Sequence, residues 1–167
     1  MLVESSAVTD SAELCGATVA VVVVNYGTAD LVVQCLDSLQ TAQNQCSSLR
    51  VLVVDNASAD DSVERIQAAI NDRSWTDWVE VIVAPRNGGF SYGNNLGIRR
   101  ALAANDPQVD AVWLLNSDTI VRPQALDALL AAFDRDPSAG IVGSRLEDRD
   151  GTPQRSAFGF QTVSREW

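Results

Sequence analysis

Four short polar stretches carry side chains able to bind or move charge. They are Asn25-Tyr26, Asp55-Asn56-Ala57-Ser58-Ala59-Asp60, Pro85-Arg86-Asn87-Gly88-Gly89-Phe90 and Asn116-Ser117-Asp118-Thr119. Asp118 presents the sharpest chemistry. One carboxylate at the end of an apolar run suits Mg2+ or Mn2+, which prefer oxygen ligands, and the diphosphate of a ligand with a few waters can complete the shell. Asn116, two residues earlier, offers a carbonyl oxygen or an amide donor. The competing reading of Asp118 is an Asx turn, with Pro123 opening the next helix. Asp55 can accept hydrogen bonds from a ribose or a base, or equally cap the turn that follows it. Asn56, Ser58 and Asp60 read first as turn and cap residues. Gly88-Gly89 lets a backbone approach a diphosphate because no Cβ intervenes. Taken alone, a plain strand-to-helix turn is the better reading of that pair. Arg86 can neutralise phosphate, or simply be solvated. Asn94 and Asn95 are poor helix residues, and a pair facing one crevice suggests polar recognition.

Composition removes other chemistries. The chain has 167 residues and no histidine, so Ser-His-Asp catalysis and imidazole-bound zinc are excluded. It has no lysine, hence no P-loop. Only Gly27 follows the first apolar run, where a dinucleotide site needs Gly-x-Gly-x-x-Gly. That run ends in Asn25, not in the acid an aspartyl-nucleophile phosphatase requires. The formal net charge is -10, which repels phosphate backbones and argues against nucleic acid as a partner. Cys15, Cys35 and Cys46 are odd in number and scattered, a pattern expected of reduced thiols in a cytosolic protein.

Side chains at four separate places must be brought together by the elements between them. Five apolar runs recur, starting at Val19, Val51, Val79, Ala111 and Gly140. They are apolar on both faces, as parallel strands covered by helices must be. Between them lie helical patterns. Thr28 can cap a helix burying Leu31, Val32, Cys35, Leu36 and Leu39. Asp60 or Asp61 can cap one with Val63, Ile66 and Ile70 on a face. Ser91 can start a third, and Pro123 suits the first turn of a fourth, which Asp136-Pro137 ends. Strand and helix alternate four times before a fifth strand. The expected fold class is α/β, a doubly wound, mostly parallel sheet with helices on both faces. In such sheets ligands bind at the carboxyl ends of the strands, and all four polar stretches fall there.

The expected organisation is a flexible tail over residues 1–17, a core over 18–146, and a further region over 147–167. In that last region "EDRDGTPQ" reads as a turn and "RSAFGFQTV" as an added strand. The first sixteen residues contain no basic residue and are not a secretory signal. Val19 to Val24 is far too short to span a bilayer, so no transmembrane segment is expected.

The stretches "VAVVVVNYGTADLVVQCLDSL", "VLVVDNASADDSVERI", "NGGFSYGNNLGIRRAL" and "VWLLNSDTIVRPQALDALL" together resemble glycosyltransferase family 2, over about Thr18 to Gln154. The similarity is greatest to bacterial rhamnosyltransferase-like members. It implies a GT-A fold and transfer of a sugar, rhamnose among the candidates, from a dTDP- or UDP-linked donor to a saccharide or lipid-linked acceptor, with inversion. Asn25, Tyr26 and Asp55 would hold the nucleoside, while Gly88, Gly89 and Asn95 would lie near sugar and phosphates. Asn116-Ser117-Asp118 matches the family's Asp-x-Asp position, with Asp118 on the metal-contacting acid and Mg2+ or Mn2+ as cofactor. Asn116 departs from the acid of that motif. The family's catalytic base lies well beyond it; Glu147-Asp148 follows the fifth expected strand too closely to be given that role. The expectation is therefore the donor-binding fragment of a longer cytoplasmic enzyme, acting at the inner face of the membrane if its acceptor is lipid-borne. The alternatives are a non-catalytic nucleotide-sugar-binding or assembly module and, more weakly, a nucleotidyltransferase.

Overall fold

The computed structural model describes residues 16–154 except 47, 104–107 and 149. Nearly all of the expected tail, with Cys15, and the strand expected over 155–163 lie outside the described residues. Two compact units are present, Met1–Gln124 and Ala125–Trp167. In the first the order is β1 (Val19–Asn25), α1 (Ala29–Gln45), β2 (Leu49–Asp55), α2 (Ser62–Asp72), β3 (Val79–Val83), α3 (Phe90–Ala101) and β4 (Ala111–Asn116). The second contains α4 (Ala125–Arg135).

The strands form one parallel sheet in the order β3-β2-β1-β4. β1 sits inside it and is the most apolar strand, with Val19, Ala20, Val21, Val22 and Val23 buried. Chain direction sorts the helices. The steps β1 to β2 and β2 to β3 run one way across the sheet, so right-handed crossovers put α1 and α2 on one face; the step β3 to β4 runs back, so α3 covers the other. Side chains agree, because alternate residues of a strand face opposite sides. Val22 and Val24 meet Gly97 and Gly93 of α3, and Ala20 joins Leu52 and Ala101 in one apolar cluster. α3 therefore lies on the sheet through small residues four apart. A Cβ at Gly97 would stand 2.4 Å from Val22 Cγ1, and one at Gly93 2.8 Å from Val24 Cγ1. Arg50, level with Ala20 in the register, donates to the carbonyl of Ala101 at the end of α3 (2.6 Å), where a cation is favoured.

Several expectations are corrected. The run from Gly140 forms no strand, and Ile141 is 92% exposed. Two β-branched residues between glycines leave too little apolar surface to hold a strand in place. Leu31 is 39% exposed and lies off the buried face of α1, which carries Ala29, Val32, Cys35, Leu36 and Leu39. α3 begins at Phe90, one residue before Ser91. α4 begins at Ala125 because Gln124 has a left-handed φ of 66°, which a helix excludes. Cys35 is a free buried thiol, but Cys46 is disulfide-bonded, so reduced thiols throughout was wrong for Cys46.

Candidate functional site

Register sets the site. Asn25 is level with Asp55, Asp55 with Val83, and Val24 with Asn116. The four strands thus release their loops from one edge of the sheet. Directly under that edge is a buried polar knot. Asp55 is 1% exposed and Asn25 wholly buried. The Asp55 carboxylate accepts from Asn25 Nδ2 (2.7 Å), Ser58 Oγ (2.6 Å) and the Ser58 amide (3.0 Å). Ser58 Oγ in turn accepts from the Gly27 amide at 3.0 Å. Asn25 Oδ1 accepts from the amide and the hydroxyl of Thr28, at 3.1 and 3.0 Å. A buried carboxylate needs such donors, and these tie the loop after β1 to the loop after β2. Gly27 and Ala57 take left-handed φ values of 68° and 58° to let the two chains turn.

Asn56 organises the next loop. Its Nδ2 donates to Asn87 Oδ1 (2.9 Å) and to the Gly89 carbonyl (3.2 Å), and its Oδ1 accepts from the Gly88 amide at 3.3 Å. Gly89 sits at φ 84°, ψ 176° as the N-cap of α3, a conformation essentially confined to glycine. α1 holds the fourth loop. Thr28 contacts Ser117 (Oγ–Oγ 3.3 Å), Cys35 Sγ lies 3.9 Å from the Asn116 carbonyl, and Ser38 Oγ accepts from the Val121 amide at 2.9 Å. Burial, and secondarily the negative charge of Asp118, push the Cys35 thiol up to about 12.

At the same edge is an open cavity of about 300 Å3, lined by Val24, Tyr26, Thr28, Asn56, Asn87, Gly89, Phe90 and Ser117. Tyr26 and Phe90 are both more than half exposed. No acidic or basic side chain lines this cavity. Of the residues singled out from the sequence, Tyr26, Asn56, Gly89 and Ser117 meet here. Asn25 and Asp55 lie beneath and are bonded inward. Arg86 is not on the cavity; its guanidinium stacks 4.9 Å from the Tyr92 ring centre. Asn94 and Asn95 do not share a crevice. Asn94 is buried and donates to the Phe90 carbonyl, while Asn95 is exposed, since neighbours on a helix diverge by about 100°. Asn116 and Asp118 are exposed beside Ser117. The cavity also uses Val24, Thr28, Asn87 and Phe90, which were not singled out as binding residues. Asn87 and Phe90 flank the glycine pair, and that adjacency was the available signal.

Asp118 takes no hydrogen bond or ion pair from the described residues. Nor do these contain a cluster of three His, Cys, Asp or Glu side chains able to cage a metal. Such a donor set fits a cation that brings most of its oxygen ligands with it, as Mg2+ bound to a diphosphate does. It does not fit one held by protein alone.

Comparison with known proteins agrees with this architecture. Two curated relatives, both named N-acetylglucosaminyl-diphospho-decaprenol L-rhamnosyltransferase and from two strains of Mycobacterium tuberculosis, are 32% identical over 147 residues. The match covers 82% of this chain and 44% of each relative, so the chain spans less than half their length. Among solved structures, the mannosyltransferase PcManGT of Pyrobaculum calidifontis, in complex with GDP-Man and Mn2+, superposes with a TM-score of 0.62 at 20% identity, over 78% of this chain and 36% of that one. S. aureus TarS 1-349 in complex with UDP-GlcNAc does so with 0.55 at 21%, over 71% and 31%. These likenesses identify the fold as GT-A-like. The family model described as glycosyl transferase family 2 matches residues 20–160, and with most of its length inside that match the chain belongs to glycosyl transferase family 2.

Proposed function

We propose that this chain forms the nucleotide-sugar-binding part of an inverting glycosyltransferase. The observation that carries the reading is the convergence of four loops of one sheet edge on a single cavity, in a chain of this family. Tyr26 and Phe90 offer aromatic faces for a base. Asn56, Asn87 and Ser117 offer polar contacts, and Gly89 offers backbone without a side chain. Asp55 and Asn25 act from below, holding these loops. Gly88, Asn95 and Arg86 do not line the cavity; the family resemblance supports Gly88 and Asn95 near sugar and phosphates, and the charge of Arg86 suits a phosphate.

A diphosphate is strongly anionic, yet no cation lines the cavity. This supports a divalent ion, Mg2+ or Mn2+, held by Asp118 with Asn116 beside it. When bound, that ion supplies Lewis-acid stabilisation of charge on the departing diphosphate. The chain's own contribution is orientation, which alone is worth several powers of ten in rate. Deprotonation of the acceptor needs a base, and none of the cavity residues is an acid. The base therefore belongs outside this cavity.

The relatives' name supports rhamnose as the sugar and a lipid-linked saccharide diphosphate as the acceptor; the donor would then be dTDP- or UDP-linked. No helix among the described residues is long and apolar enough to cross a membrane. A peripheral position beside a lipid-borne acceptor suits that finding. The acid-free cavity also favours a second reading, a nucleotide-sugar-binding module without turnover.

Calorimetric titration with UDP-, dTDP- and GDP-sugars, each with and without Mn2+, tests the proposal. Metal-linked binding is expected in wild type, and Asp118→Ala is expected to remove the metal dependence while leaving the unfolding midpoint unchanged. Metal-independent affinity equal in the two proteins would refute the role of Asp118. Release of free nucleotide diphosphate on adding acceptor separates the enzyme from the non-catalytic module.

A further inference from the structure

Resting on the proposed reading of the cavity as a nucleotide-sugar site, we infer that Asn87 selects the base of the nucleotide. It presents a fixed N–H donor that favours a keto oxygen of the base over an amino group at the same place.

Asn56 and the loop after β3 lock each other through backbone groups of known sense. The Gly89 amide can only donate, so the Asn87 atom 2.9 Å from it is the oxygen Oδ1. Asn56 Nδ2 reaches that same oxygen at 2.9 Å. The Gly89 carbonyl, which can only accept, stands 3.2 Å from Asn56 Nδ2. Each side-chain amide therefore has one orientation. With two donors on it, the Asn87 oxygen has no lone pair to spare. Both protons of Asn56 Nδ2 are committed as well. The Gly88 amide turns inward too, to Asn56 Oδ1 at 3.3 Å. What remains is Asn87 Nδ2. It has no hydrogen-bond partner among the described residues, and Asn87 is an exposed residue that lines the cavity.

A glycine pair at the start of a helix attracts an anion when its amides converge on it. Here the amides of Gly88 and Gly89 are turned onto Asn56 and Asn87, so the pair allows close approach but gives a ligand no N–H. No basic side chain lines the cavity either. A neutral acceptor is thus the better partner for Asn87 than a phosphate. Tyr26 and Phe90 line the same cavity, and their rings suit the face of a base. The edge of that base then meets Asn87. Uracil, thymine and guanine carry a keto oxygen where cytosine and adenine carry an amino group. The oxygen accepts from Nδ2, whereas the amino group would set donor against donor.

Calorimetry on the full chain, with Mn2+ present, compares UDP with CDP and GDP with ADP. Wild type should bind the keto member of a pair about three- to ten-fold more tightly, the span of one ordinary hydrogen bond. Asn87→Asp keeps an oxygen for the Gly89 amide and Asn56 while replacing the free N–H donor by an acceptor. Its added charge weakens both members of a pair alike, so the ratio within the pair isolates the base. That ratio should invert, favouring CDP over UDP and ADP over GDP. Asn87→Ala, which adds no charge, should level each pair. Equal wild-type affinity within both pairs, or a keto preference undiminished in either variant, would overturn the inference. If wild type binds none of the four nucleotides, the assignment of the cavity falls first, which distinguishes that failure from failure of the role given to Asn87.

Discussion

Asp55 shows how a residue read from sequence as a ligand contact can serve a site indirectly. Its two oxygens are taken by Asn25 and Ser58, and at 1% exposure it meets no solvent. Sequence offered ligand contact and turn capping as equal readings. Local spacing decided for the turn, because Ser58 stands three residues on, within reach of a carboxylate. Asn25 could be read so only in part: Thr28 also stands three residues on, but its other partner, Asp55, is set by strand register. Cys35 gives a direct test at this scale. Its thiol lies at about 12, and the thiolate is the nucleophile. In the native chain at pH 8, iodoacetamide should leave Cys35 unmodified in peptide maps, while the urea-unfolded chain is modified readily. Rapid native alkylation would contradict the burial. The stability linkage has a definite sign: the folded value lies above the ordinary 9.0, so the contribution is complete below pH 9 and is lost as pH rises toward 12.

At the scale of elements, α3 is the piece whose placement matters most, since Gly89 at its start borders the cavity. Its small residues, Gly93, Gly97 and Ala101, are spaced four apart and turned to the sheet. An added methyl at Gly97 would fall 2.4 Å from Val22, and at Gly93 2.8 Å from Val24. Alanine favours a helix over glycine by about 1 kcal/mol, but overpacking against a buried strand costs about 1–3 kcal/mol. Gly97→Ala should therefore lower stability in urea titration, and by more than Gly93→Ala; a gain for either would show that α3 can lift from the sheet. The four strands were legible because their runs are apolar on both faces, as a covered parallel sheet demands. The run at Gly140 imitated that pattern in composition alone. The start of α4 was misplaced because Pro123 fits a first turn, and nothing in the sequence announces the left-handed Gln124. The α3 stripe is present as G-x-x-x-G in "GNNLG", where the two asparagines between the glycines are the more conspicuous polar signal.

For the molecule as a whole, the net charge of -10 acts on any diphosphate that approaches. With no basic side chain at the cavity, the long-range field opposes binding, and salt shortens its reach to about 10 Å at 0.1 M. In the absence of divalent ions, UDP affinity should therefore rise a few-fold as NaCl goes from about 20 to about 200 mM. A fall instead would mean that an arginine, Arg86 foremost, swings onto the ligand. Charge and family were readable from composition and motif order. The level ends of the strands, which bring four loops together, emerge only when Asn25 is seen beside Asp55 and Val24 beside Asn116.

The knot of Asp55, Asn25, Ser58 and Thr28 is complete without any guest. Its amides and hydroxyls gave up their freedom when the chain folded, not when a ligand arrives. A visitor to the cavity should consequently find a floor that does not stiffen further. Deuterium uptake at Gly27, Thr28 and Ser58 should be equally slow before and after occupancy, while any slowing on occupancy concentrates in Ser117 to Thr119.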